Sequence, residues 1–329
     1  MKRLYNRILV GVSALFVLFL LCFSSCVRKG NPVEVAADGK VVVTATIFPP
    51  YDFVRQIAGD KVSLKMLLPP GAESHSFEPT PQDIIAIQRS KLFIYGGGES
   101  DEWVERILES MDVSAMKLVS LMDCVDVVEE EIVEGMQAEK EAQSAFKSIG
   151  VTTSPEYDEH VWTSPKNVVR IVRVITDALC EIDVANAEVY RQNAVAYTAK
   201  LDALDEEFQA VVTNGSRRTI VFGDRFPFRY FADAYGLAYF AAFPGCSTDT
   251  EPSAATVAFL IDKVKTEQIP VIFHIELSNE RMADIIAEST GAEKLLLHAC
   301  HNISKRDFDA GKTYLDFMQA NVKSLQTSL

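Results

Sequence analysis

Short apolar runs rich in β-branched residues alternate along this chain with stretches whose apolar positions recur every three or four residues. Residues 40–48 (KVVVTATIF) read as a buried strand. Pro49 and Pro50 follow, then a helical pattern over 51–58. Residues 62–68 form a second strand, and 81–89 a helix opened by Pro81, a residue suited to a first helical turn. A third strand over 92–95 runs into Gly96, Gly97 and Gly98; a helix over 101–109 and a strand over 116–120 complete the round. Such alternation predicts a parallel sheet with right-handed crossovers.

The pattern fails over 123–157. Glu129, Glu130 and Glu131 and the Ala, Lys, Gln and Glu that follow predict an exposed acidic insertion, a solvated excursion without histidine. Ser164-Pro165 opens a helix reaching about residue 181, and Asp183 is placed to cap another, with Val189, Ala196, Leu201, Leu204 and Phe208 at helical spacing. At ~1.5 Å per residue this second helix is a rod of about 40 Å. Beyond Asn214-Gly215-Ser216 the alternation resumes, with strands over 219–222, 237–241, 271–275 and 294–298 and helices over 226–235, 254–267, 279–289 and 309–325. The expected fold class is α/β: two lobes with parallel-type sheets, 40–182 and 215–329, joined by one long helix over 183–214.

The first residues follow another rule. Lys2, Arg3 and Arg7 precede an apolar run over 8–23, shorter than the roughly 20 residues of a membrane span and fit for the core of an export signal. Phe23-Ser24-Ser25-Cys26 resembles a bacterial lipobox, so 1–25 is expected to be removed and Cys26 to become the lipid anchor of a polar tether over 26–39. The product would sit outside the cytoplasm, at the outer face of the cytoplasmic membrane or facing a periplasm.

Charge narrows the partners. Lys and Arg number 32 against 46 Asp and Glu, a net −14 that becomes −17 when the three signal-peptide cations are lost. Nucleic-acid binding, which needs clustered cations, is excluded on that balance. With 48% hydrophobic and 24% charged residues the chain is globular. Cys124, Cys180, Cys246 and Cys300 have no CxxC spacing; one Cys246–Cys300 bridge or four buried thiols are the open readings.

Five histidines carry the candidate chemistry. His75 lies in the loop PPGAESHSFEPTP after a strand, His160 in DEHVW before a helix, and His301 in LHACHN beyond a strand that ends near His298. Open parallel sheets gather ligands beyond the carboxyl ends of their strands, so these three can converge in an interlobe cleft. Neutral imidazole is a ligand for Zn²⁺ and similar ions. His274, inside VIFHIE, reads as a packed strand residue, and His298 is ambiguous. Neither HExxH nor GxSxG is present.

From about Lys40 to its end the chain resembles the zinc- and manganese-binding receptors of bacterial ABC importers. The similarity is carried by ATIFPPY (45–51), LPPGAESHSFEPTP (68–81), DEHVWTSP (158–165), FRYFADAYGL (228–237) and Glu276 with Thr290-Gly291. It implies two α/β lobes on a rigid helix, and metal ligands at His75 and His160. The third ligand of that family, a His or Glu, falls on Arg225, a permanent cation that cannot ligate. Asp224 beside it is the substitute. Counting ten residues from Gly291 places the fourth ligand at His301, with His298 and Cys300 in reserve. Two readings of Arg225 stay open: it pairs with Glu276 or Glu251 and orients the groups around the ligands, or it is a surface residue.

The resemblance implies a monomeric, non-enzymatic receptor that passes one divalent metal to a membrane permease. Three imidazoles favour Zn²⁺, with Mn²⁺ or Fe²⁺ as alternatives. A three-histidine metallohydrolase is the rival, and the lack of an obvious general base beside a ligand counts against it, since Glu159 precedes His160 but in a loop; an adhesion role is a further alternative.

Overall fold

The computed structural model describes residues 39–74, 77–136, 156–246 and 252–329. The signal, Cys26 and the tether up to residue 38, as well as His75 and Glu251, lie outside the described residues. No helix among the described residues is long and apolar enough to cross a membrane.

The first round builds β1 (Val41–Ala45), α1 (Phe48–Ala58), β2 (Val62–Met66), α2 (Pro81–Arg89), β3 (Leu92–Tyr95), α3 (Glu102–Glu109) and β4 (Lys117–Ser120). Strand β1 is shorter than the apolar run predicts. Pro49 and Pro50 supply no amide hydrogens and sit in the first turn of α1, where none are needed, so the run splits into strand end and helix start. Thr80 and Asp83 form a reciprocal capping box that starts α2.

Two helices follow, α4 (Pro165–Ile182) and α5 (Ala187–Asn214). Helix α5 buries Tyr190, Ala194, Tyr197, Leu201, Leu204, Phe208 and Val212, a stripe at intervals of three and four. Asp183 does not cap it: its carboxylate accepts from Tyr190 Oη (2.5 Å) and Asn186 Nδ2 (2.7 Å) instead. The second round comprises β5 (Thr219–Phe226), α6 (Arg229–Tyr235), β6 (Ala238–Pro244), α7 (Ala254–Glu267), β7 (Val271–His274), α8 (Arg281–Thr290), β8 (Glu293–Leu296), α9 (Lys305–Asp309) and α10 (Tyr314–Ser328).

Both sheets are parallel and share one strand order, β2-β1-β3-β4 and β6-β5-β7-β8. Each chain path runs outward from its first strand and then crosses back, so each sheet has a switch point at which neighbouring loops diverge. In β5 alternate residues face opposite sides: Ile220 and Phe222 enter one apolar cluster, Val221 another. The first cluster is continuous from Val43 and Phe53 through Leu201 and Phe208 to Phe222, Phe273 and Leu297. The two lobes thus share one packed core, with α5 against α1 on one side and α6 and α10 on the other. A core of crystal-like density resists hinge bending, because opening it would expose apolar surface.

The acidic stretch differs from its expectation. Val128 O accepts Asp158 N–H (3.0 Å), and Glu130 N–H donates to Glu156 O (2.9 Å). Glu130 Oε1 accepts Cys246 N–H (2.8 Å), and Glu131 meets Tyr239 Oη (3.1 Å) and Arg229 Nη1 (3.2 Å). Met136 is fully buried. Residues up to Met136 therefore strap the first lobe to the second, while 137–155 lie outside the described residues.

Candidate metal centre

Four loops meet at the carboxyl ends of the two sheets. The loop after β2 stays extended past Leu68, whose N–H donates to Thr46 O (2.9 Å), and turns at Gly71. Glu73 and Ser74 of this loop wall the cleft beside His160 and His301.

The loop after β3 is shaped by its glycines. Gly98 has φ +76, and a β-carbon there would lie 2.6 Å from Glu159 Cβ, so only glycine lets the two backbones approach. The buried Asp101 carboxylate gathers the loop by accepting Gly96 N–H (2.7 Å), Gly97 N–H (3.2 Å) and Thr46 Oγ1 (3.3 Å). Burial, and then the Glu159 charge, push its pKa up to about 7 against those hydrogen bonds.

His160 sits in an irregular segment leading to a single 3₁₀ turn, Val161–Thr163, ahead of α4. It is 1% exposed. Asp158 Oδ1 accepts both its backbone N–H (2.8 Å) and its ring Nδ1 (3.1 Å). A carboxylate can only accept, so the proton belongs on Nδ1 and the lone pair on Nε2. Burial depresses the imidazole pKa, but the charge and hydrogen bond of Asp158 outweigh it and hold the group above its ordinary value. Its neighbour Glu159 is equally buried, and accepts Ser100 N–H (2.9 Å) and Ser100 Oγ (2.5 Å). Burial raises the Glu159 carboxyl, with His160 and Ser100 opposing.

His301 comes from the other lobe, in the segment after β8. Its ring centroid lies 5.2 Å from that of His160 and 5.0 Å from that of Trp162. Trp162 Nε1 donates to Ala299 O (2.9 Å), tying the two ligand segments together. Glu276 fixes the backbone: its Oε1 accepts His301 N–H (2.9 Å) and its Oε2 Ala299 N–H (2.7 Å). Glu276 thus holds the backbone of the segment that carries His301.

Glu159, His160 and His301 each offer one ligand atom, and these atoms lie within 4.8 Å of one another. No other such group of His, Cys, Asp and Glu occurs among the described residues. The structure therefore brings His160 and His301 together across the cleft. Asp224 is not part of the group. Its oxygens accept Arg225 N–H (2.9 Å) and Ile275 N–H (3.3 Å), because β5 continues through a bulge to Phe226 and holds Asp224 in the sheet. Arg225 lines the cleft cavity of ≈ 40 Å³, but its ion pair is with Glu73 (3.6 Å) rather than Glu276.

The reserve residues are structural. His298 stacks on Phe317 at 4.0 Å, and its Nδ1 accepts Cys300 N–H (3.0 Å). That nitrogen lies 3.5 Å from Glu276 Oε2 and, as an acceptor, makes no hydrogen bond to it. Cys300 is fully buried, and all four described cysteines are free, so the Cys246–Cys300 bridge is not formed. His274 closes β7, with Nδ1 3.1 Å from Ile275 O.

Glu159 is the residue that sequence reading undervalued. Neighbouring side chains diverge on a strand or helix, so an acid next to a ligand reads as a bystander. The irregular backbone around His160, φ −82 and ψ 44, lets both point to one place.

Residues 43–328 match the family described as zinc-uptake complex component A, periplasmic (ZnuA). The high-affinity zinc uptake system protein ZnuA of Bacillus subtilis (strain 168) is 32% identical over 321 residues, covering 96% of this chain and 97% of that protein. The zinc-binding lipoprotein AdcA of Streptococcus pneumoniae serotype 4 is 29% identical over 321 residues. These span 98% of this chain but only 60% of AdcA. Among solved structures, the Zn(II)-bound ZnuA-like domain of Streptococcus pneumoniae AdcA has a TM-score of 0.71 at 27% identity, covering 88% of this chain and 99% of that domain.

Proposed function

This chain belongs to the family of periplasmic zinc-uptake components, and on that premise we propose that it is an extracytoplasmic receptor that binds one Zn²⁺ in the interlobe cleft and delivers it to an ABC permease. It works as a monomer, held by lipid at Cys26 on the outer face of the cytoplasmic membrane. The observation that carries the reading is the buried convergence of His160, His301 and Glu159, with Asp158 setting the tautomer of one ligand. His75 is the fourth ligand, three residues beyond Ala72 in the loop that walls the cleft. Three imidazoles and one carboxylate suit a four-coordinate Zn²⁺ better than Mn²⁺, which takes more oxygen. Glu159 supplies the oxygen in place of Asp224. Arg225 stands where the family resemblance puts a ligand; its charge is offset by Glu73, and the shell closes without it.

Metal analysis tests this. Chain purified without chelator should carry about one Zn²⁺, and metal-free chain should take up one equivalent in competition with a fluorescent chelator. Chain that neither retains nor takes up Zn²⁺ would sink the reading.

The pH dependence has a defined sign. Zinc needs the unprotonated His160, whose proton affinity is raised above that of free imidazole, ordinarily ~6.5. Zinc affinity should therefore fall as pH drops, beginning above that value. The metal-free fold follows the opposite rule: the His160⁺–Asp158 pair stabilises it below the unfolded-state pKa, and this is lost as pH rises through the raised folded value. The zinc-induced rise in Tm, large near pH 8, should shrink toward zero by about pH 5.5. A zinc shift independent of pH would argue against imidazole ligation.

A further inference from the structure

The residue after His301 joins the two lobes. Asn302 is 3% exposed, and its Nδ2 donates to Pro69 O (2.9 Å) and Ala72 O (2.7 Å) in the loop after β2. Its Oδ1 accepts Ile303 N–H (2.8 Å), so both ends of the amide are committed and the side chain has one orientation. Beside it, Gly71 N–H donates to Ile303 O (2.8 Å).

The same short segment makes the contacts of the other ligand loop. Ala299 O accepts Trp162 Nε1, and Glu276 holds the amides of Ala299 and His301. Between those two amides, Cys300 takes φ +62, a left-handed conformation costly for a residue with a β-carbon. The segment therefore has a specific, over-determined conformation that places His301, and Asn302 passes that placement to the loop after β2.

We propose that Asn302 is a positioning residue that couples His301 to the 69–74 loop, so that the loop walls the cleft while the 299–303 segment holds its ligating conformation. The shared core leaves loop movement, rather than lobe opening, as the lower-cost route for metal exit. The coupling rests on the zinc-receptor reading above.

Release of Zn²⁺ to excess chelator, followed by stopped flow, tests it. Asn302→Ala removes two donors to carbonyls and should speed release about tenfold, with the association rate nearly unchanged. Asn302→Asp, which keeps the acceptor and lacks the donors, should behave alike. In a His75→Ala background, where the loop carries no ligand, Asn302→Ala should change release little. An equal fold-change in both backgrounds means that Asn302 acts through general stability, and overturns the proposal. One measurement needs no variant: amide exchange over 69–74 in the wild type should slow when Zn²⁺ is added, and unchanged exchange in zinc-loaded chain overturns the coupling. Wild type that takes up no Zn²⁺ overturns the receptor reading and the coupling together; normal uptake with additive variants overturns the coupling alone.

Discussion

His160→Ala should weaken Zn²⁺ binding by at least two orders of magnitude, and combining it with His301→Ala should abolish binding at micromolar metal. Zinc bound by four protein ligands is worth about 12 kcal/mol, so one ligand is worth roughly 3 kcal/mol, about a hundredfold. For His160 the loss is larger, because the substitution also leaves Asp158 buried without the ring it holds. In His301→Ala the backbone N–H still reaches Glu276, so the segment keeps that anchor. Affinity by chelator competition, alongside thermal melting of the metal-free chain, separates the two effects. Both variants should lose affinity, and His160→Ala should in addition lower metal-free stability through the buried Asp158. Zinc bound equally well by the double variant would place the site elsewhere.

Much of this arrangement was legible in the apolar pattern, because parallel sheets leave few alternatives for short apolar runs between helices. The limits of α2, β3 and α7 follow from Pro81, from the glycines after Tyr95 and from Ser253, whose side chain caps α7. The errors lie where a local rule met a tertiary contact. Strand β1 stops early because two prolines fit a helix start as well as a strand end. Strand β5 runs four residues beyond its apolar run, since the bulge after Phe222 lets polar Asp224 and Arg225 stay paired with β6. That extension removes Asp224 from the site. Glu130 looked solvated beside two other glutamates, yet its partner is the Cys246 amide, 116 residues away, which no window on the sequence can see.

The family resemblance points to His160 and, by counting from Gly291, to His301, and the two lie together in one cleft. It gives no hint of Glu159, because the acid nearest Arg225 in sequence is Asp224. Proximity along the chain was the wrong measure. Asp224 is one residue from Arg225 and bound to the sheet; Glu159 comes from the other lobe and shares the cluster with both histidines.

Glu159→Gln gives the sharpest test of that substitution, because affinity and stability should move in opposite directions. Glutamine keeps the size of the side chain, accepts Ser100 N–H through its carbonyl and donates to Ser100 Oγ through its amide, so both contacts survive. What it loses is the anionic oxygen. Zinc affinity should fall about a hundredfold, one ligand's share. Metal-free stability at pH 7 should be unchanged or higher. The folded-state pKa of Glu159 is raised by burial, so ionising it opposes folding at pH values above the unfolded carboxyl pKa, and the neutral amide relieves that cost. Asp224→Asn is the matching control: it weakens the acceptor for the Arg225 and Ile275 amides, and should lower stability with little change in zinc affinity. If instead Asp224→Asn costs the hundredfold and Glu159→Gln costs nothing, the carboxylate ligand is the one first read from the sequence. A residue kept at the expense of the metal-free fold is what a binding site, rather than a structural contact, requires.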